Sequence, residues 1–100
     1  MYTLHLVQVI RSFKHRGLKR LYERGDRSGI RPDLLGAVED ILARLDEAET
    51  AQAMNLPGYR LHALKGDLRG FWSVTVRANW RVVFRFEAAD AFEVELTDYH

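Results

Sequence analysis

The chain has 100 residues, 47% of them hydrophobic and 29% charged, with a net charge of +1. That is the composition of one ordinary globular domain with a single core, not of a disordered segment. The absence of cysteine excludes a disulfide framework and a thiolate metal site, and it fits a reducing cytoplasm; no apolar run is long enough to make an integral membrane protein.

The small net charge conceals a strong segregation. Residues 1–36 carry eight Lys/Arg against three Asp/Glu, a net +5, and residues 37–58 carry one against five, a net −4. Residues 59–86 return to six against one, +5, and residues 87–100 hold five acids and no Lys/Arg, −5. Two basic blocks suit a polyanion or an acidic protein as partner, although charges paired across a fold give the same pattern.

Taken in chain order, MYTLHLVQVI has no basic flank before its apolar stretch, is interrupted by His5 and Gln8, and reads as a poor signal peptide. Val9–Phe13 reads as a short strand, and Lys14–Arg24 as a helix with Leu18, Leu21 and Tyr22 on one face and Gly25 as its stop. After the turn-rich GDRSG, Pro32 opens a second helix, in which Leu34, Leu35, Val38, Ile41, Leu42 and Leu45 form a core stripe. Residues 46–55 form a short helix or loop closed by Pro57-Gly58, and the acids between 39 and 49 read as a solvated helix face.

From Tyr59 the period changes to two. Tyr59, Leu61 and Ala63 alternate with Arg60 and His62, and KGDLRG then loops. Trp72, Val74 and Val76 alternate with Ser73, Thr75 and Arg77 up to a tight turn at Ala78-Asn79. Trp80, Val82, Phe84 and Phe86 alternate with Arg81, Val83 and Arg85, and beyond a turn at Ala89-Asp90, Phe92, Val94 and Leu96 alternate with Glu93 and Glu95. A strand, two to three helices and four antiparallel strands make an α+β fold with the helices on one face of the sheet. Parity sends Trp72, Trp80, Val82, Phe84, Phe86, Phe92, Val94 and Leu96 toward the helices. The other face receives His62, Ser73, Thr75, Arg77, Arg81, Arg85, Glu93, Glu95 and Tyr99. Glu93 or Glu95 can answer Arg85 across the hairpin, whereas Arg77 and Arg81 have no obvious acidic partner. His5 and His15 read as surface residues.

The stretches LHALKGD, SVTVRANWRVVF and the closing DYH, together with IRSFKHRGLKRLYERGDRSGI, resemble the HigB toxins within the RelE/ParE superfamily of toxin–antitoxin systems, from residue 9 onward. Residues 9–100 are thereby expected to form a single RelE-like toxin domain. Residues 1–8 would be an extension, or sequence upstream of a native start at Val9. The resemblance implies a cytoplasmic, ribosome-dependent messenger-RNA endonuclease that cuts the codon in the decoding site and favours adenosine-rich codons. It also implies a small helix-turn-helix antitoxin (HigA-like) as partner, and operator DNA reached through the complex. A ParE-like inhibitor of DNA gyrase, or a non-catalytic nucleic-acid-binding module, shares the fold; His62 and the DYH tail argue for the nuclease.

RNA can be cut by its own 2′-OH attacking the adjacent phosphorus. That route needs a base for the 2′ proton, cations for the phosphorane and an acid for the 5′ oxygen, and it requires no metal or other cofactor. His62 and His100 suit proton transfer at neutral pH. Arg77, Arg81 and Lys65 can hold phosphate, though Lys65 can equally be a plain loop lysine and Arg81 can simply support Arg77. Asp98 can act as a base or orient a histidine, and Tyr99 can stack on a nucleobase or donate a proton. Asp98 or His100 is the expected base, and His62 or Tyr99 the expected acid.

Overall fold

In the computed structural model, which describes residues 9–99, the helices are α1 (Arg16–Arg24) and α2 (Pro32–Glu47), and the strands β1 (His62–Ala63), β2 (Trp72–Arg77), β3 (Trp80–Glu87) and β4 (Asp90–Asp98). Short 3-10 turns, Ala51–Met54 and Gly66–Leu68, interrupt the two longer connections. The strands form an antiparallel sheet in the order β1-β2-β3-β4, so the expected α+β architecture is the one observed. Among the described residues no helix is long and apolar enough to cross a membrane.

The predicted first strand is realised as a parallel seam along the outer edge of β4. Arg11 N donates to Ala91 O (2.7 Å) and Lys14 N to Val94 O (2.9 Å), while Ala91 N donates to Val9 O (2.7 Å) and Val94 N to Ser12 O (3.0 Å). α1 begins at Arg16 rather than at Lys14, whose N–H still belongs to the seam with the sheet. His15 then stands at the N-cap, half-buried, its Nδ1 accepting from Leu18 N at 3.1 Å. It is a structural cap, not a plain surface residue. Where α1 passes the loop before α2 there is no room for a side chain: a Cβ on Gly17 would lie 2.4 Å from the Gly29 carbonyl oxygen.

Pro32 occupies the first turn of α2, where its missing N–H costs nothing. Leu34, Val38, Ile41, Leu42 and Leu45 are buried along one side, packed with Val74, Val82, Phe84 and Val94 from the sheet; α2 lies over β2 and α1 over β4. The acids of α2 do more than face solvent. Asp40 accepts from the Tyr59 hydroxyl, Asp46 from the Tyr22 hydroxyl, and Glu39 pairs with Arg27 at 3.2 Å. Partial burial, reinforced by the Asp40 carboxylate, pushes the Tyr59 hydroxyl up to about 12.

Two register shifts break the parity read from the sequence. One falls between Val83 and Arg85, where Glu93 and Val94 oppose the single Phe84; Glu93 takes a left-handed φ of 54° and its N–H leaves the ladder for Ser12 Oγ (2.8 Å). Phe92 therefore pairs with Arg85 and lies beneath its guanidinium, 4.8 Å from the ring centre, instead of facing the helices. Arg85 is fixed by Glu93 (2.8 Å), as parity anticipated, and also by Glu87 (2.9 Å). The other shift lies between Thr75 and Arg77 and sets Arg77 opposite Trp80. Trp72 and Trp80 are half-buried against the core, as expected.

Candidate active site on the open face of the sheet

The face away from the helices is built from cross-strand rows. His62 pairs with Ser73, Ser73 with Val83 and Val83 with Glu95; the neighbouring row runs Thr75, Arg81, Thr97. Residues of both rows point the same way because they are two apart along each strand. β1 is only two residues long. Arg60 adopts a φ of 53°, which ends regular pairing just before it, and Tyr59 rejoins the sheet through its carbonyl, accepting from Thr75 N at 2.7 Å.

These rows floor a recess of about 340 Å³ lined by Arg60, His62, Ser73, Thr75, Arg81 and Tyr99. No carboxylate lines it, so two guanidiniums set the sign of its potential. Arg81 is held in place by its own hairpin: Nη1 donates to Ala78 O (2.7 Å) and Trp80 O (3.1 Å). A guanidinium has five N–H donors, so both on Nη1 are used and Nε and Nη2 are left to grip an anion with two parallel bonds. Tyr99 is the exposed large hydrophobic side chain of the described residues, at 41%, and its backbone N–H is tied to Asn79 O (2.8 Å), which fixes the strand end beside the β2–β3 turn. Ser73 is the buried polar residue of the described chain, 4% exposed, with its hydroxyl at the recess floor.

Of the residues singled out in the sequence, His62, Arg81 and Tyr99 come together here from three different segments. Arg77 does not join them. The register shift places it on the Trp80 row, and its charge acts on Asp33 at the start of α2, whose carboxyl is held below its ordinary range mainly by the Arg31 hydrogen bond. Asp98 also pairs with Trp80, one residue out of phase with Tyr99. Lys65 is exposed at the start of the Gly66–Leu68 turn, two residues beyond β1, and does not line the recess. His100 lies outside the described residues, as does His5. Arg60 is the lining residue that sequence reasoning passed over; its signal was its parity with His62. Among the described residues no group of three or more His, Asp or Glu is placed to hold a metal ion.

A small domain with a basic, histidine-bearing recess on the bare side of such a sheet fits a compact toxin of the RelE type. The family model for the RelE-like toxin HigB of type II toxin–antitoxin systems matches residues 11–100, and the chain belongs to that family. A curated relative, Endoribonuclease HigB of Proteus vulgaris, is 46% identical over 92 residues, which is 92% of this chain and 100% of the relative. As the toxin of a type II pair, the protein has an antitoxin partner.

Proposed function

We propose that the open-face recess is the cutting centre of a ribosome-dependent messenger-RNA endonuclease. The family and the named activity of the Proteus vulgaris relative make the chain an endoribonuclease toxin. The observation that carries the reading is the convergence of His62, Arg81 and Tyr99 on one recess without an acid. A phosphate seated there meets Arg81 through Nε and Nη2, with Arg60 as a second cation. The 2′ oxygen then bonds to phosphorus as the bond from phosphorus to the 5′ oxygen breaks. The 2′ proton passes to His100, the other base expected from the sequence, since Asp98 pairs with Trp80 off the recess, and a proton from His62 or Tyr99 reaches the leaving 5′ oxygen. Arg77 and Lys65 serve the flanking phosphates. This route needs no metal. The antitoxin is a HigA-like helix-turn-helix protein that carries the toxin to operator DNA, and the toxin works in the cytoplasm.

The test is primer-extension mapping of a reporter message with and without ribosomes. The expected result is a set of cuts in phase with the decoding-site codon, absent without ribosomes and lost in His62→Ala. No cleavage by a folded protein, with DNA gyrase inhibited instead, sinks the proposal.

A further inference from the structure

Ser73 is 4% exposed at the floor of the recess, and its hydroxyl has no hydrogen-bond partner among the described residues. A buried hydroxyl left unpaired works against folding. Val83, next in the same cross-strand row, is buried with an apolar side chain, so the sheet itself does not demand a polar group at this level. Every other residue lining the recess is half-buried or exposed, and a phosphate reaches those first.

His62 stands directly opposite Ser73 in the β1–β2 register. Its imidazole is exposed and also lacks a hydrogen bond or ion pair among the described residues. Cβ atoms of directly opposed residues lie ~4.5–5.5 Å apart, a gap that a ring nitrogen spans by rotation about the side-chain torsions. The remaining polar side chains of the recess are farther off. Thr75 is two residues along the strand, about 6.6 Å away at the backbone. Arg81 sits on the diagonal, ~7–8 Å away, with Nη1 already bonded to its own hairpin.

We propose that Ser73 is a positioning residue for the cutting step: the His62 ring folds onto the recess floor, where Ser73 Oγ accepts an N–H from one ring nitrogen and turns the other toward the leaving 5′ oxygen. This rests on the reading of the recess as an RNA-cutting centre and, within it, makes His62 the acid. An imidazolium has an N–H on both nitrogens and no acceptor, so the group that steadies it from below has to accept; a hydroxyl oxygen does so and an apolar side chain does not. The proton on the outer nitrogen passes to the 5′ oxygen as the bond from phosphorus to that oxygen breaks. The inner N–H stays on Ser73, a neutral imidazole remains, and Ser73 neither gains nor loses a proton.

The experiment compares two ribosome-bound messages, identical except that the second carries sulfur in place of the bridging 5′ oxygen at the cut. A thiolate leaves without a proton far more readily than an alkoxide, so the second message does not need the acid. Single-turnover rates are measured at saturating toxin. Ser73→Ala is expected to cut the natural message about 10- to 100-fold more slowly than wild type and the sulfur message within about threefold of it. His62→Ala should show the same rescue by sulfur, whereas Arg81→Ala, which loses charge stabilisation rather than a proton, should not. Ser73→Thr keeps the hydroxyl and should restore most of the rate on the natural message. Ser73→Ala cutting the natural message within about twofold of wild type, an equal loss on both messages, or a threonine variant as slow as the alanine one overturns the proposal. Failure of the nuclease reading is visible separately, as wild-type protein that cuts neither message.

Discussion

Arg81→Ala removes a guanidinium whose direction the fold sets in advance. Both N–H groups of Nη1 are bonded to carbonyls of its own hairpin, at 2.7 and 3.1 Å, so the guanidinium is anchored beside the recess it lines before any substrate arrives. Loss of one preorganised donor to developing charge costs about 10²–10³ in rate, or ~2.7–4 kcal/mol. The same substitution takes only two bonds from a half-exposed turn, worth about 1 kcal/mol in all. With a urea dependence of roughly 2 kcal/mol per molar, the unfolding midpoint falls by about 0.5 M. Cleavage of ribosome-bound message should therefore collapse in a protein that still unfolds cooperatively close to the wild-type midpoint. Arg81→Lys keeps the charge but not the fork, and should recover no more than a fraction of the rate. A cleavage rate within about threefold of wild type for Arg81→Ala would falsify the clamp. A loss of activity matched by an equal loss of folded protein would make Arg81 a structural residue instead.

Three further outcomes follow from the packing and the ion pairs. Gly17→Ala forces a Cβ to within 2.4 Å of the Gly29 carbonyl oxygen, and should cost about 1–3 kcal/mol; a melting temperature unchanged from wild type refutes the close approach. Tyr59, raised to about 12, holds its proton longer folded than unfolded, so its contribution is intact below about pH 10 and is lost as pH rises toward 12. Stability measured across that window should fall less steeply in Tyr59→Phe, and identical slopes would dismiss the Asp40 bond. Glu93 is held below the usual carboxylate range by its Arg85 bond, with Lys14 adding to it; its contribution is present above about pH 4 and disappears as pH falls through the lowered value. Acid titration of Glu93→Gln should lack that part of the wild-type decline, and superimposable curves count against the pairing.

Much of this architecture is legible because single segments carry their own signals. The stripe Leu34, Val38, Ile41, Leu42, Leu45 specifies which side of α2 is buried, and Gly25, with φ at 70°, ends α1 where a left-handed cap is needed. The alternation of Trp80, Val82 and Phe84 orients β3 correctly. What a single segment cannot reveal is a partner that changes its count. Alternation through Phe92 and Glu93 looks unbroken, yet the inserted residue exists only relative to β3 and to Ser12, far away in sequence. The shift at Val76 is of the same kind, and it separates Arg77 from Arg81 although they bracket one turn. Within the recess, His62 and Tyr99 were legible from motif and parity, and Arg81 from the hairpin. Arg60 offered only its parity with His62, and the positive φ that ends regular pairing there is one an arginine rarely announces.

The seam between residues 9–14 and β4 also bears on the order in which the fold can close. Ser12 and Glu93 are bonded across 81 residues, a separation that makes closure slow. During synthesis the early segment emerges with an unmatched edge and waits for β4, the strand made after all the others. Tyr99 arrives with that strand and is fastened to the β2–β3 turn by its own N–H. A copy without β4 thus lacks both the strand that closes this seam and the Tyr99 wall of the recess.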